Sequence, residues 1–261
     1  MNGSKLIAGK GGESLKRARI LSSLAKVMAA HSSGLLGGEQ MPEDAAPRFE
    51  DSDEMLAFFT LPMSLNYQRN SYALWESARR MYDDPEGRRL FNVEYVAKCE
   101  MDDLREVLVK WRVALQPNRH PEIYSRVARG FFGTGGGTVA GLLRDHDYSV
   151  VAIEATVRSS RKEEFPYLSG PKIFNYWLYV LEQYCNITFV DRSEITVAPD
   201  THVIQASHRL GVLSDDEASR QDVAGLLAER WKDVLSSQPI DPIDIHTPLW
   251  LWSRAGMPRF D

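Results

Sequence analysis

The sequence predicts an all-α protein, and three observations lead to that prediction. Apolar residues recur at helical spacing through most of the chain beyond residue 51. Asp, Ser and Pro residues stand where helices would begin. Strand signal is confined to residues 187–190 and 195–197, which would form at most one small β-hairpin. We therefore expect a two-lobed helical bundle.

The predicted elements follow one another with short connections. Residues 14–31 form a basic amphipathic helix, expected to dock on the body of the protein, with a membrane-surface or DNA-backbone helix as the alternative. Residues 31–50, rich in Gly, Pro, Ser and acids without a period, are typical of a linker. Asp51 can cap a helix that Pro62 interrupts. Further helices are predicted over 71–83, 102–114, 121–132, 138–144, 148–158, 172–184, 200–210 and 222–235.

These elements divide the chain into an N-terminal extension and linker, residues 1–50, and one domain, residues 51–261. The glycine-rich stretch 133–138 lacks the Gly-Lys-Ser/Thr ending of a phosphate loop and follows no strand. It is better explained as a connection between two helices.

Composition excludes several classes of protein. The chain has 261 residues, 43% of them hydrophobic, which is enough for a large core. No apolar run approaches the ~18 residues of a membrane span, and the first fifteen residues lack the apolar stretch of a secretory signal. Cys99 and Cys185 alone cannot form a disulfide framework, a four-cysteine zinc site or an iron–sulfur cluster. No metal or cofactor is expected, and the expected location is the cytoplasm, associated with the nucleoid.

One region, residues 165–211, combines residues that could carry chemistry. Leu168-Ser169-Gly170 reads as a tight turn, and Pro171 suits the first position of the helix that follows. Lys172 stands at the start of this largely apolar helix, where loss of hydration favours the neutral, nucleophilic amine. Asp200 stands at the N-cap of the next helix. The alternative is an ordinary helical hairpin with a solvated lysine and a capping aspartate.

The same region resembles the helix-hairpin-helix core of the DNA glycosylase superfamily that includes endonuclease III. The matching segments are Leu168 to Lys172 and Ala198 to Val203, followed by His208-Arg209-Leu210-Gly211. The resemblance implies that Lys172 is the nucleophile, that Asp200 is the catalytic carboxylate, and that Ser169, Gly170 and His202 contact the DNA backbone. The hairpin departs from the family's leucine-proline-glycine-x-glycine pattern, because it is shortened and lacks the second glycine.

Further features are similar to the archaeal 8-oxoguanine glycosylase branch. Lys172 and Asp200 are 28 positions apart, which is a long spacing for the superfamily, and Tyr67-Gln68 and Pro248-Leu249-Trp250 match the branch near the two ends. The resemblance implies that Gln68 reads the extruded base. Tyr176 would stack on that base, and Trp250 would close its other face. Further candidates for the base pocket are Trp252 and His246; His246 stands where the branch tends to carry an acid, a difference for which Asp244 could compensate.

The function implied is that of a monomeric DNA glycosylase with lyase activity, acting on double-stranded DNA that holds 8-oxoguanine or another modified base, or an abasic site, and needing no membrane. One alternative is a defence enzyme that excises modified pyrimidines from phage DNA. The other is a non-catalytic helix-hairpin-helix module that binds DNA or protein. The net charge of -5 is compatible with DNA, because residues 105–172 hold 11 Lys/Arg against 7 Asp/Glu. Residues 39–54 hold seven acids and one base.

Overall fold

The computed structural model describes residues 3–37, 41–134 and 136–260, and for residues 3–12 the backbone alone. Within these ranges the regular elements are all helical, which confirms the predicted fold class. The α-helices are α1 (Gly3–Ser32), α2 (Ser52–Thr60), α3 (Ser71–Asp83), α4 (Pro85–Arg88), α5 (Val93–Lys98), α6 (Met101–Lys110), α7 (His120–Phe132), α8 (Val139–Asp145), α9 (Val150–Glu154), α10 (Pro171–Cys185), α11 (Thr201–Arg209), α12 (Asp215–Ala218), α13 (Val223–Leu235) and α14 (His246–Arg254). Short 3₁₀ helices lie at Pro42–Ala45, Pro62–Leu65, Arg89–Phe91, Lys162–Glu164, Arg192–Glu194 and Pro242–Ile245, and α9 continues into a π-helical turn, Ala155–Ser160.

The chain divides into two compact units. The central unit is Gln40–Ile195, and the terminal unit combines Met1–Glu39 with Thr196–Asp261. Residues 51–261 are therefore shared between the two units. Among the described residues, no helix combines the length and the apolar character needed to cross a membrane.

An aromatic core holds the central unit together. Phe58 of α2 lies between Trp75 and Phe91, with ring centroids 5.6 and 5.1 Å away. Trp177 of α10 is fully buried, and its indole N–H donates to Thr60 Oγ1 at 2.8 Å. Large aromatic side chains bury 150–250 Å² each, so this cluster fixes α10 against α2.

α10 is the helix that carries the predicted nucleophile. Pro171 occupies its first turn, where the missing N–H costs nothing. Its buried residues are Ile173, Phe174, Asn175, Trp177, Leu178, Val180, Leu181 and Cys185. The helix ends at Asn186, whose φ of 54° is left-handed, a conformation that asparagine tolerates. The prediction of a helix over 172–184 is confirmed.

The N-terminal helix is an integral part of the terminal unit. Ile20, Leu24 and Val27 of α1 follow i, i+4, i+7 spacing and are buried in one core with residues of α11, α13 and α14. Trp231 of α13 lies in the same core and donates its indole N–H to Ser207 Oγ at 2.9 Å. The expected docking of this helix on the body is confirmed.

The structure resolves two segments whose conformation the sequence left open or predicted wrongly. No strand forms at 187–190 or 195–197, which agrees with the expectation of at most one small hairpin: Asp191 between them accepts hydrogen bonds from Ser149 Oγ and from the first N–H groups of α9. The predicted linker 31–50 also contains packed structure, since α1 extends to Ser32 and Glu43 is 1% exposed. Its residues 38–40 lie outside the described ranges.

The glycine-rich stretch connects α7 and α8, as predicted. Thr138 caps α8 by accepting a hydrogen bond from Gly141 N–H at 3.0 Å. A Cβ at Gly136 would lie 2.7 Å from the Gly141 Cα, so the loop and the helix approach too closely for a side chain. Residue 135 is outside the description.

Candidate active site

The turn before α10 is closed by its own backbone. Ser169 N–H donates to the Phe165 carbonyl and Gly170 N–H to the Tyr167 carbonyl, both at 2.9 Å. Tyr167 has a φ of 62°, a left-handed conformation that bulky residues rarely adopt. Leu168 is fully buried beneath the turn. These contacts define the backbone conformation of the turn that leads into α10, where Lys172 lies.

Arg158 supports the same turn from the π-helical turn after α9. Its Nε donates to the Ser169 carbonyl at 3.1 Å, and its guanidinium carbon lies 5.6 Å from the centroid of the Phe174 ring. Arg158 also pairs with Glu154. Single π turns within helices often occur at functional sites, and here the π turn carries the arginine that braces the turn.

Ser169 and Gly170, the two residues of the turn that are predicted to contact the DNA backbone, differ in accessibility. Ser169 is 8% exposed, so its hydroxyl offers little surface to a ligand. Gly170 is partly exposed and is the N-cap of α10. The first N–H groups of a helix lack intrahelical partners and favour anions. The structure therefore favours Gly170 over Ser169 as a phosphate contact.

Lys172 is the second residue of α10 and its side chain is half-buried. Its neighbour on the helix, Ile173, is buried, as is Trp177 beyond it. Tyr176 follows Lys172 by four residues, so the two side chains share one face of the helix.

Tyr176 contacts a buried carboxyl group that sequence reasoning missed. Its hydroxyl hydrogen-bonds with Glu43, which also accepts a hydrogen bond from Trp75 Nε1 at 2.8 Å. Burial raises the pKa of Glu43 to about 7, although these hydrogen bonds oppose the shift. Burial and the neighbouring Glu43 carboxyl raise the pKa of Tyr176 well above its ordinary value. The Tyr176 hydroxyl therefore stays protonated and can donate a hydrogen bond at neutral pH. Part of the residue is exposed.

Gln68 lies in the loop between the Pro62–Leu65 3₁₀ helix and α3. It is exposed and has a φ of 50°, which is unusual for a residue other than glycine. Its neighbour Tyr67 stacks on Tyr167 of the turn, with ring centroids 5.0 Å apart and planes 16° from parallel. The loop that carries Gln68 is thus joined directly to the turn that precedes Lys172.

In the terminal unit, Asp200 caps α11 as predicted. Its half-buried carboxylate accepts a hydrogen bond from His202 N–H at 2.9 Å. The His202 imidazole lies edge-on to Trp250, with centroids 6.3 Å apart, and its Nδ1 forms a hydrogen bond with Ser253 Oγ at 3.1 Å. Trp250 is partly exposed, and Arg254 lies over its ring at 4.5 Å. Asp200, His202 and Trp250 therefore belong to one cluster.

Two residues predicted for the base pocket are core residues of the terminal unit. Trp252 is 6% exposed, and its indole N–H donates to the Pro258 carbonyl at 2.9 Å. His246, the first residue of α14, is also 6% exposed. Asp244 accepts a hydrogen bond from Asp241 N–H within the preceding 3₁₀ helix. On α14, Trp250 is the aromatic residue that is exposed enough to contact a base.

The proposed catalytic residues lie in different units, Lys172 in the central unit and Asp200 in the terminal unit. Comparison with models of protein families and with curated proteins gives no match. Within the described residues, no cluster of three His, Cys, Asp or Glu side chains could hold a metal ion.

The central unit also has a surface cleft of about 750 Å³ away from these residues. It is lined by side chains of both charges, among them Arg88, Arg89, Glu94 and Lys98, and none of the residues predicted for the active site lines it. The candidate active-site residues are therefore those around Lys172 in the central unit and those around Asp200 in the terminal unit.

Proposed function

We propose that this protein is a DNA glycosylase with lyase activity, which excises a modified base through Lys172. The observation that carries the proposal is the position of Lys172: it follows a braced turn, stands in the first turn of an apolar helix and shares a helix face with Tyr176. Resemblance of residues 165–211 to the helix-hairpin-helix glycosylases supports it.

In the proposed reaction the target nucleotide leaves the duplex, at a cost of a few kcal/mol. The neutral Lys172 amine attacks C1′ of its sugar and forms an N–C1′ bond. The bond between C1′ and the base breaks, and its electron pair leaves with the base, which takes a proton from solvent. The resemblance assigns two tasks to Asp200: it stabilises the positive charge that develops on the sugar, and it accepts the proton lost by the amine.

Strand cleavage follows from the same covalent bond. The bond between C1′ and the ring oxygen O4′ then breaks, its electron pair stays on O4′, which takes a proton from solvent, and the nitrogen lone pair forms a protonated Schiff base between Lys172 and C1′. Loss of a proton from C2′ then expels the 3′ phosphate by β-elimination, and water hydrolyses the Schiff base to free the enzyme. Tyr176 and Trp250 are the proposed stacking surfaces for the base, and Gln68 is the proposed reader of its edge.

The test is covalent trapping on a duplex with one abasic site. Borohydride reduces a Schiff base to a stable amine, so the active protein becomes linked to DNA. Lys172→Gln is expected to abolish trapping and nicking, whereas Lys162→Gln, at an exposed lysine of the same unit, is expected to leave both unchanged. Trapping of Lys172→Gln at the wild-type rate would overturn the assignment. Absence of trapping by the wild type, with DNA binding retained, would instead indicate a non-catalytic binding module.

A panel of duplexes identifies the base. Each duplex carries one modified base, either an oxidised purine such as 8-oxoguanine or a modified pyrimidine of the kind found in phage DNA, and base release is measured. We expect release of 8-oxoguanine or another modified purine, following the resemblance. Exclusive release of modified pyrimidines would favour the defence enzyme instead.

A further inference from the structure

An exposed pair of stacked tyrosines lies beside the turn that precedes α10. Tyr167 contacts one face of the Tyr67 ring at 5.0 Å, and Tyr67 is nevertheless 48% exposed. About half of the Tyr67 surface is therefore accessible to a ligand. The guanidinium carbon of Arg119 lies over Tyr167 at 5.2 Å, so the stack includes a cation.

The backbone around this stack is strained at three positions. Gln68, Arg112 and Tyr167 have φ values of 50°, 59° and 62°, all in the left-handed region. Arg69 links two of the segments, because its guanidinium donates to the Val113 carbonyl at 2.7 Å and to the Arg112 carbonyl at 3.3 Å. Such conformations cost free energy and persist where the surrounding structure enforces them, often at ligand sites.

The three segments that meet at the stack carry charge of one sign. Residues 61–75, 107–121 and 165–181 contain five Lys or Arg residues and no Asp or Glu, although glutamates lie directly beside these segments at positions 76, 106, 122, 164 and 182. The Lys and Arg residues are Arg69, Lys110, Arg112, Arg119 and Lys172, of which Lys110 pairs with Glu86. Arg112 and Arg119 are exposed. A nucleic-acid strand offers phosphates and flat bases. The exposed arginines of this surface are complementary to the phosphates, and the exposed tyrosine ring is complementary to the bases.

We propose that Tyr67 is a nucleobase-stacking subsite for a DNA strand, separate from the pocket of the excised base. An unpaired base stacks on the exposed Tyr67 ring, while Arg112 and Arg119 contact the phosphates beside it. Stacking on an aromatic side chain tolerates any base, so this subsite binds without regard to sequence. The subsite rests on the proposed function only in taking DNA as the partner.

The test compares binding of three DNA probes to the full-length protein by fluorescence anisotropy: a single strand, a fully paired duplex and a duplex with one tetrahydrofuran abasic analogue. Tyr67→Ala is expected to weaken binding of the single strand and of the abasic duplex by about 5- to 100-fold, and of the paired duplex by less than twofold. Tyr67→Phe keeps the ring and is expected to bind within twofold of wild type. Tyr95→Ala, at an exposed tyrosine of α5, is the matched control.

A spectroscopic probe and a charge variant complete the test. 2-Aminopurine beside the abasic position is expected to lose fluorescence on binding wild type and Tyr67→Phe, but not Tyr67→Ala. Arg119→Gln is expected to reduce the salt dependence of binding by about one phosphate contact. Melting curves identify any variant that fails to fold, and Tyr67→Leu, which keeps apolar bulk without a π face, then replaces Tyr67→Ala with the same expected loss.

The outcomes separate this proposal from the proposed function. If borohydride trapping succeeds and Tyr67→Ala binds every probe as wild type does, the subsite is wrong while the glycosylase assignment stands. If trapping fails but binding depends on the Tyr67 ring, the catalytic assignment is wrong and the subsite stands. Equal losses in Tyr67→Phe and Tyr67→Ala would also overturn the subsite, since stacking requires the ring and not the hydroxyl.

Discussion

Glu43 shows at the scale of one residue how burial changes chemistry near Tyr176. Its carboxyl is 1% exposed and accepts a hydrogen bond from Trp75. In the unfolded chain it ionises near its ordinary pKa of 4.5, whereas in the folded protein burial raises the pKa to about 7. The folded state therefore binds more protons than the unfolded state between these two values.

This difference predicts how stability depends on pH. Because the folded-state pKa is the higher one, the free energy of unfolding falls as pH rises from 4.5 to about 7, by an amount on the order of 3 kcal/mol. Glu43→Gln is expected to remove this dependence and to be the more stable protein above pH 7. Denaturant unfolding at several pH values measures it. Asp53→Asn, at an exposed acid of α2, is the control, and the same pH dependence in wild type and Glu43→Gln would contradict the prediction.

Asp200 combines a structural role and a proposed catalytic role in one side chain. Asn caps a helix nearly as well as Asp, so Asp200→Asn is expected to cost ~1 kcal/mol of stability or less. A preorganised charge aimed at a developing cation contributes ~2.7–4 kcal/mol, so base release is expected to fall by 10²–10³. Single-turnover rates and melting curves of the two proteins measure both effects. Equal rates of base release would exclude the catalytic role.

At the scale of an element, α14 presents two tryptophans with different surroundings. Trp252→Ala removes a core side chain and is expected to cost ~3–5 kcal/mol of stability, so that all activities fall together. Trp250→Ala is expected to weaken base release by ~1–3 kcal/mol. It should leave trapping on an abasic site nearly unchanged, because no base is present to stack. Melting curves, base release and trapping of the two variants make the comparison.

A parallel loss of stability, base release and trapping in Trp250→Ala would place Trp250 in the core as well.

Tyr176→Phe tests the hydroxyl group of Tyr176 on α10, because it keeps the ring and removes the hydroxyl that contacts Glu43. It is expected to retain base release and to lose stability, since Glu43 loses a hydrogen-bond partner inside the protein.

Helix positions were readily predicted where the sequence carries a local signal. Asp51 caps α2 through a hydrogen bond from Glu54 N–H, and Pro171 opens α10 as expected. The predicted helix over 71–83 is α3, and Asn70 caps it by accepting a hydrogen bond from Ala73 N–H. The strand signal on either side of Asp191 yields no strand, because the contacts of the Asp191 side chain with α9, some 40 residues away, override the strand propensity of its neighbours.

The candidate site was predictable in part for the same reason. Lys172 and Tyr176 are four residues apart on one helix, so their shared face follows from spacing alone. Glu43 lies in a segment without periodicity, and its contacts with Trp75 and Tyr176 join residues 32 and 133 positions away. No local pattern encodes such a contact, so the sequence predicts only a linker where the buried carboxyl lies.

At the scale of the whole molecule, the two ends of the chain form one compact unit. Arg17 of α1 donates from Nε to the Val234 carbonyl at 3.1 Å, across 217 positions of sequence. Its guanidinium also contacts Ser236 and Ser237. Closing so long a loop is entropically costly, but the cost grows only slowly with length, and the core shared by α1, α11, α13 and α14 offsets it. The sequence therefore predicts the helices more readily than their grouping into units.

The central claim is that one particular lysine bonds to the sugar, and peptide mass mapping of the borohydride-trapped complex tests it most directly. After digestion of protein and DNA, the account predicts a single sugar-derived mass increase, located on Lys172 and absent from Lys162 and Lys110. An adduct on another lysine, or on the N-terminal amine, in a protein that still releases the base would contradict the account.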